Sequence, residues 1–274
     1  MDFLISFLNT VLPILYFTAT YLYALYFFRE EEFAARYMTR FLRVTAALHF
    51  FEVFLRGIYY RHYPLANLYE AATVLALAIT LIYLYIEYRI QVKTTGYFIL
   101  VFVFFLQLFS SAFISFGRGI PEILQSPFFI FHTTAAILGY SALAISAMYG
   151  IMYLLLFHDI KSSRFGVIYS RLPSLEVLSE MNIKAAILGF SFLTVAILLG
   201  GVWSYMLFHK LFNPDPKIII ALITWLVYGL VILGSKRLGW TGKRVAFLSL
   251  MGFGIILFSM VAMNLFLNSF HVFR

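Results

Sequence analysis

The chain has 274 residues, of which 63% are hydrophobic and 12% charged, with a mean hydropathy of +0.92, a formal net charge of +8 and no cysteine. A soluble domain carries about a quarter of its residues as charges, so this composition excludes a water-soluble enzyme and makes lipid the main solvent. Without cysteine the chain forms no disulfide, performs no thiol exchange and makes no thioether to a cofactor.

One crossing of a ~30 Å hydrocarbon core takes about 20 apolar residues. Apolar segments bounded by charge, proline or glycine lie at 3–28, 41–60, 68–88, 96–116, 128–157, 184–208, 218–234 and 245–270. The first is too long for the hydrophobic region of a secretion signal and has no basic segment before it, so it reads as a transmembrane helix. The second carries His49, Glu52 and Arg56. The third opens near Glu70, whose charge suits a helix N-terminus. The fifth begins near His132 and ends at His158. The longest connection, 158–183, contains the stretch 172–178, where Ser174 is placed to cap a short amphipathic helix at the membrane interface. Asp215 lies between two prolines ahead of the seventh segment, a helix-start signal, and His271 follows the eighth. No internal repeat or linker divides the chain. The expectation is one domain, 1–274: an all-α polytopic membrane helix bundle of about eight transmembrane helices.

Charge sets the expected orientation. Fourteen Lys/Arg residues fall in the odd-numbered connections and their helix ends, against six in the even-numbered ones and at the C-terminus. Because basic residues stay cytoplasmic, both termini are expected outside. The positive charge is then topology, and no nucleic-acid partner is needed.

That orientation brings His62, His132, His209 and His271 to the outer side, while His49 is embedded and His158 cytoplasmic. Neutral imidazole ligates iron, zinc or copper, and two imidazoles from separate helix ends can clamp a flat cofactor such as haem. Taken one at a time, the interfacial histidines read more readily as hydrogen-bonding groups at the headgroup level. His49, Glu52 and Arg56, spaced i, i+3 and i+7, share one face. They read either as a helix-gluing Glu52–Arg56 ion pair or as a site in which His49 is a second cofactor ligand and Arg56 meets an anionic group such as a propionate. The abundant aromatics could wall a porphyrin or form interfacial belts. No HExxH, phosphate loop, GxSxG or polar channel lining is present.

Several strings, in order, carry a family likeness: His62-Tyr63-Pro64-Leu65-Ala66-Asn67-Leu68-Tyr69-Glu70, Phe131-His132, Gly200-Gly201-Val202-Trp203, Asp215-Pro216-Lys217, Gly239-Trp240-Thr241-Gly242-Lys243, and Asn264-Leu265-Phe266-Leu267 running to His271. On these the chain resembles the cytochrome c assembly membrane proteins, the haem-handling family with CcsA-, CcmC- and HemX-type members. The resemblance implies His132 and His271 as axial ligands of haem b at the outer face, and His49 as the first of two embedded histidines. The second would fall near Leu233, where there is no histidine. The family's Trp-rich loop is altered: Phe208, Phe212, Pro214 and Ile220 stand where that motif has tryptophan, while Trp203 and Asp215 are kept. Trp203, Phe208 and Phe212 are then expected to contact the macrocycle. The function implied by the resemblance is that of a non-covalent haem carrier, or a subunit of a cytochrome c haem ligase, in a bacterial-type cytoplasmic membrane, delivering haem to an assembly protein or apocytochrome. The alternative is a HemX-type regulatory or scaffold protein that does not itself deliver haem.

Overall fold

The computed structural model describes residues 1–65, 67–114, 126–209, 216–240 and 242–266. Among these, every regular element is a helix: α1 Asp2–Arg29, α2 Glu32–Tyr60, α3 Leu68–Ile90, α4 Gly96–Phe113, α5 Pro127–Lys161, α6 Val167–Arg171, α7 Leu175–Phe208, α8 Pro216–Arg237 and α9 Lys243–Phe266. Seven of them, all but α2 and α6, are long and apolar enough to cross a membrane. Helix α2 has the length, 29 residues, but its arginines and Glu52 dilute its apolar character. The expected all-helical polytopic bundle is thus observed, with seven of the long helices among the described residues qualifying as spans by composition.

The bundle is organised as two packed groups. Helices α1 to α4 form one, α5, α7, α8 and α9 the other, and α3 against α5 is the main joint between them. The α5–α7 pair is the most extensive contact among the described residues. Its closeness comes from small residues: a Cβ at Gly139 would stand 3.1 Å from the Leu193 nitrogen and 3.3 Å from the Gly189 carbonyl oxygen. With no hydrophobic drive between helices in lipid, such close backbone approach and its dispersion contacts supply the association. The buried run Ser141 to Gly150 on α5, rich in Ala and Ser, extends the same principle.

Chain ends of the helices are tied down locally. Glu30 and Gln91 adopt left-handed conformations that close α1 and α3. Arg171 at the end of α6 reaches back to α1, donating from Nη2 to the Tyr26 carbonyl at 2.7 Å and from Nε to the Phe27 carbonyl at 3.2 Å, and it pairs with Glu30 at 2.6 Å. A cation on exposed C-terminal carbonyls suits the helix dipole. Asn67, rather than Glu70, caps α3: its Oδ1 accepts from the Glu70 backbone N–H at 2.8 Å.

The expected short helix at 172–178 is corrected by the fold. Ser174 does cap, accepting from the Val177 N–H at 3.4 Å, but the helix it starts is α7, 34 residues long. Nothing between 178 and 184 breaks a helix, so the connection and the span form one rod. The short helix is α6, upstream of Ser174.

Candidate functional site

His132 lies in the second turn of α5 and points at α7. Its Nδ1–H donates to the carbonyl of Ala196 at 2.8 Å. Ala196, Gly200 and Trp203 are spaced i, i+4 and i+7, so one face of α7 receives the imidazole. Gly200 provides the room: a Cβ there would lie 2.9 Å from the His132 Cε1 and 3.0 Å from its Nδ1. Trp203 lies nearly parallel to the imidazole, with ring centroids 6.5 Å apart and planes at 26°. Phe129, one turn earlier on α5, packs on Trp203 at 5.7 Å. The ring is therefore fixed in position and in tautomer. With Nδ1 carrying the proton, Nε2 is the nitrogen with the lone pair, which is how imidazoles are prepared to ligate metals.

A second polar assembly is enclosed within α1 to α4. His49 is fully buried. Its Nε2 is 2.8 Å from the Thr73 Oγ1, which itself donates to the Gln107 Oε1 at 2.8 Å. Since the Thr73 proton is used there, Nε2 must be the donor to Thr73, and Nδ1 accepts from the Tyr16 hydroxyl at 2.9 Å. The Gln107 amide donates onward to Ser111 at 3.0 Å, and Ser111 donates to the Asn9 carbonyl at 2.9 Å. One chain of hydrogen bonds thereby links all four helices, and His49 has a partner on each ring nitrogen.

One turn along α2, Glu52 and Arg56 are also fully buried and form an ion pair through Nη2 and Nε of the guanidinium and Oε1 of the carboxylate. The i, i+4 ion pair expected from the sequence is present. The second carboxylate oxygen, Oε2, has no hydrogen-bond partner among the described residues.

The sequence profile described as Cytochrome C assembly protein matches residues 65–271, about three quarters of the chain. The chain belongs to the cytochrome c assembly protein family. Curated relatives agree with the family match: proteins named cytochrome c biogenesis protein CcsA from Heterosigma akashiwo, 27% identical with 81% of this chain and 80% of the relative covered; from Trieres chinensis, 27% identical with 96% and 95% covered; and from Chlamydomonas reinhardtii, 29% identical with 77% and 60% covered.

For this family member, the structure brings His132 and Trp203 together and places His49 and Arg56 apart from them, inside the other helix group. Phe208 ends α7, but its side chain, and the whole of Phe212, Asp215 and His271, lie outside the described residues. His62 is nearly buried beside the start of α3, with Nε2 3.8 Å from Glu70 and Nδ1 donating to the Tyr63 carbonyl at 2.9 Å. His209 terminates α7 and sits edge-on to Tyr205.

Sequence reasoning singled out His49 and missed its network. The signal was there: Asn9, Tyr16 and Tyr23 on α1, and Thr73, Thr80 and Glu87 on α3, each recur every seven residues, drawing a polar line down one face of an otherwise apolar helix. All six are buried.

Proposed function

We propose that this protein holds haem b non-covalently between His132 and His271 at the outer face of the membrane and hands it to a cytochrome c assembly protein or apocytochrome. The observation that carries this reading is the commitment of the His132 Nδ1–H to the Ala196 carbonyl, which leaves Nε2 as the ligating nitrogen. When bound, haem would supply an iron, and the imidazoles of His132 and His271 would hold it. Trp203 stands beside His132 to pack on the macrocycle, and Phe208, Phe212 and Asp215 are the further haem contacts of this reading. Having no cysteine, the protein leaves the covalent attachment to residues of its partner. The excess of basic residues on the opposite side of the bundle supports an outward-facing site.

A second reading, a regulatory or scaffold protein that does not deliver haem, is favoured by one observation: His49 is hydrogen-bonded through both ring nitrogens and is closed within α1 to α4. A protein built this way has no open embedded histidine to hold haem in transit. Under this reading His132 and His271 sense or store haem.

Absorption spectra of the purified protein in oxidised and reduced states test the first reading. Low-spin bis-histidine bands that vanish in both His132→Ala and His271→Ala support it. No haem uptake from excess haem overturns it. A cytochrome c maturation mutant rescued by the wild-type gene favours delivery, whereas haem binding without rescue favours the second reading.

A further inference from the structure

Arg36, Arg40 and Arg43 recur at i, i+4 and i+7, so the three guanidinia stand on one face of the first turns of α2. Lys93, in the turn between α3 and α4, faces them across a concavity of about 270 Å³ whose lining also includes Thr39 and Glu87. Among the described residues none of these four cations has an ion pair. Most basic residues among those described are likewise unpaired, so what distinguishes these four is that they line one concavity.

The carboxylate at the floor of the pocket does not meet their need. Glu87 is almost fully buried and is already the acceptor of three hydroxyls, from Tyr23 at 2.6 Å, Tyr83 at 2.7 Å and Thr39 at 2.6 Å. Those bonds hold it as a structural hub joining α1, α2 and α3. Four cations thus converge on a partly enclosed polar space that contains one committed anion.

We propose that this pocket binds a phosphate oxyanion, specifically the headgroup phosphate of an anionic phospholipid. Guanidinium forks match phosphate oxygens in pairs, and a lysine adds a point charge. Basic pockets between transmembrane helices are the sites that such headgroups use. The surroundings favour a lipid over a soluble anion: Phe33, Tyr37 and Val44 on α2, and Tyr88 and Ile90 on α3, expose apolar surface next to the pocket, where acyl chains can lie. The site is far smaller and more polar than a macrocycle requires, so it is independent of the haem reading and of which side of the membrane it faces.

The test measures lipid retention by native mass spectrometry of the full chain from nanodiscs of phosphatidylcholine with graded phosphatidylglycerol. Wild type is expected to keep phosphatidylglycerol preferentially, and the preference to fall about fivefold for each cation removed in Arg36→Gln, Arg40→Gln, Arg43→Gln and Lys93→Gln. Arg89→Gln, on α3 outside the pocket, leaves it unchanged. In a second arm, inorganic phosphate competes for the site in detergent. Stabilisation of wild type by phosphate, lost in Arg40→Gln, without any lipid preference identifies a soluble phosphate as the ligand and overturns the lipid source. Equal retention of both lipids together with no phosphate effect overturns the site. The single variants each remove one charge and are read separately, so misfolding of a combined variant does not decide the outcome.

Discussion

The imidazole of His132 occupies the space that a side chain at position 200 would need, 2.9 Å from where the Cβ would stand. Gly200→Ala therefore pushes the ring away from α7 and breaks its hydrogen bond to the Ala196 carbonyl. Alanine is the better helix former by up to ~1 kcal/mol, so the helix itself gains. The cost falls on the pose of His132, at about 1–3 kcal/mol for an overpacked contact. The expected outcome is haem affinity reduced by roughly tenfold or more with a melting temperature close to wild type. Unchanged haem titration would mean that this pose of His132 has no part in binding.

For His49 the expectation is the reverse. His49→Leu keeps the volume but removes both hydrogen bonds of the ring. Interhelical hydrogen bonds in membrane proteins contribute about 0.6 kcal/mol on average and up to ~1.7, so the loss amounts to roughly 1–3 kcal/mol. A double-mutant cycle with Tyr16→Phe, followed by unfolding in mixed micelles, is expected to be non-additive because the two share one bond. The haem spectrum stays as in wild type. A spectral change in His49→Leu would support His49 as an iron ligand.

These two histidines mark how far the sequence could be read. The long apolar runs marked the spans, because each element must satisfy its backbone internally and present apolar surface to lipid. The segment 128–157 lies within α5 to within a few residues at each end. Hydropathy marks only the part of a helix that meets lipid, which is why α2 begins nine residues before the segment at 41–60 and α7 nine before that at 184–208. What the sequence did not disclose was pairing. That Gly200 admits His132 depends on α5 lying against α7, a tertiary fact with no local trace. The ion pair of Glu52 with Arg56 was legible because both partners sit on one helix.

That ion pair has an asymmetric energetic signature. Arg56→Met leaves the fully buried Glu52 carboxylate without its cation, and removing one partner of a buried pair typically costs about 3–5 kcal/mol. The paired replacement Glu52→Gln with Arg56→Met removes both charges and is expected to recover much of that loss. Comparison of folded yield and denaturant midpoint for the two variants checks it. Equal damage from both would show that Arg56 matters for something other than its pairing with Glu52.

The orientation of the bundle is open to a clean chemical test because the chain has no native thiol. Any introduced cysteine is the sole target of a membrane-impermeant maleimide. Ser162, exposed just beyond α5, and Ser126, immediately before it, flank opposite ends of one helix, and the Ser126 side chain makes no cap hydrogen bond that a cysteine would remove. The eight-span reading assigns fourteen of the twenty basic residues to the Ser162 side, so Ser126→Cys is expected to label in intact cells and Ser162→Cys only after permeabilisation. His132 lies six residues after Ser126 on the same helix, so the label at 126 also reports the compartment in which haem would be offered. Labelling of Ser162→Cys from outside would put His132 on the cytoplasmic side and remove the basis for outward presentation of haem.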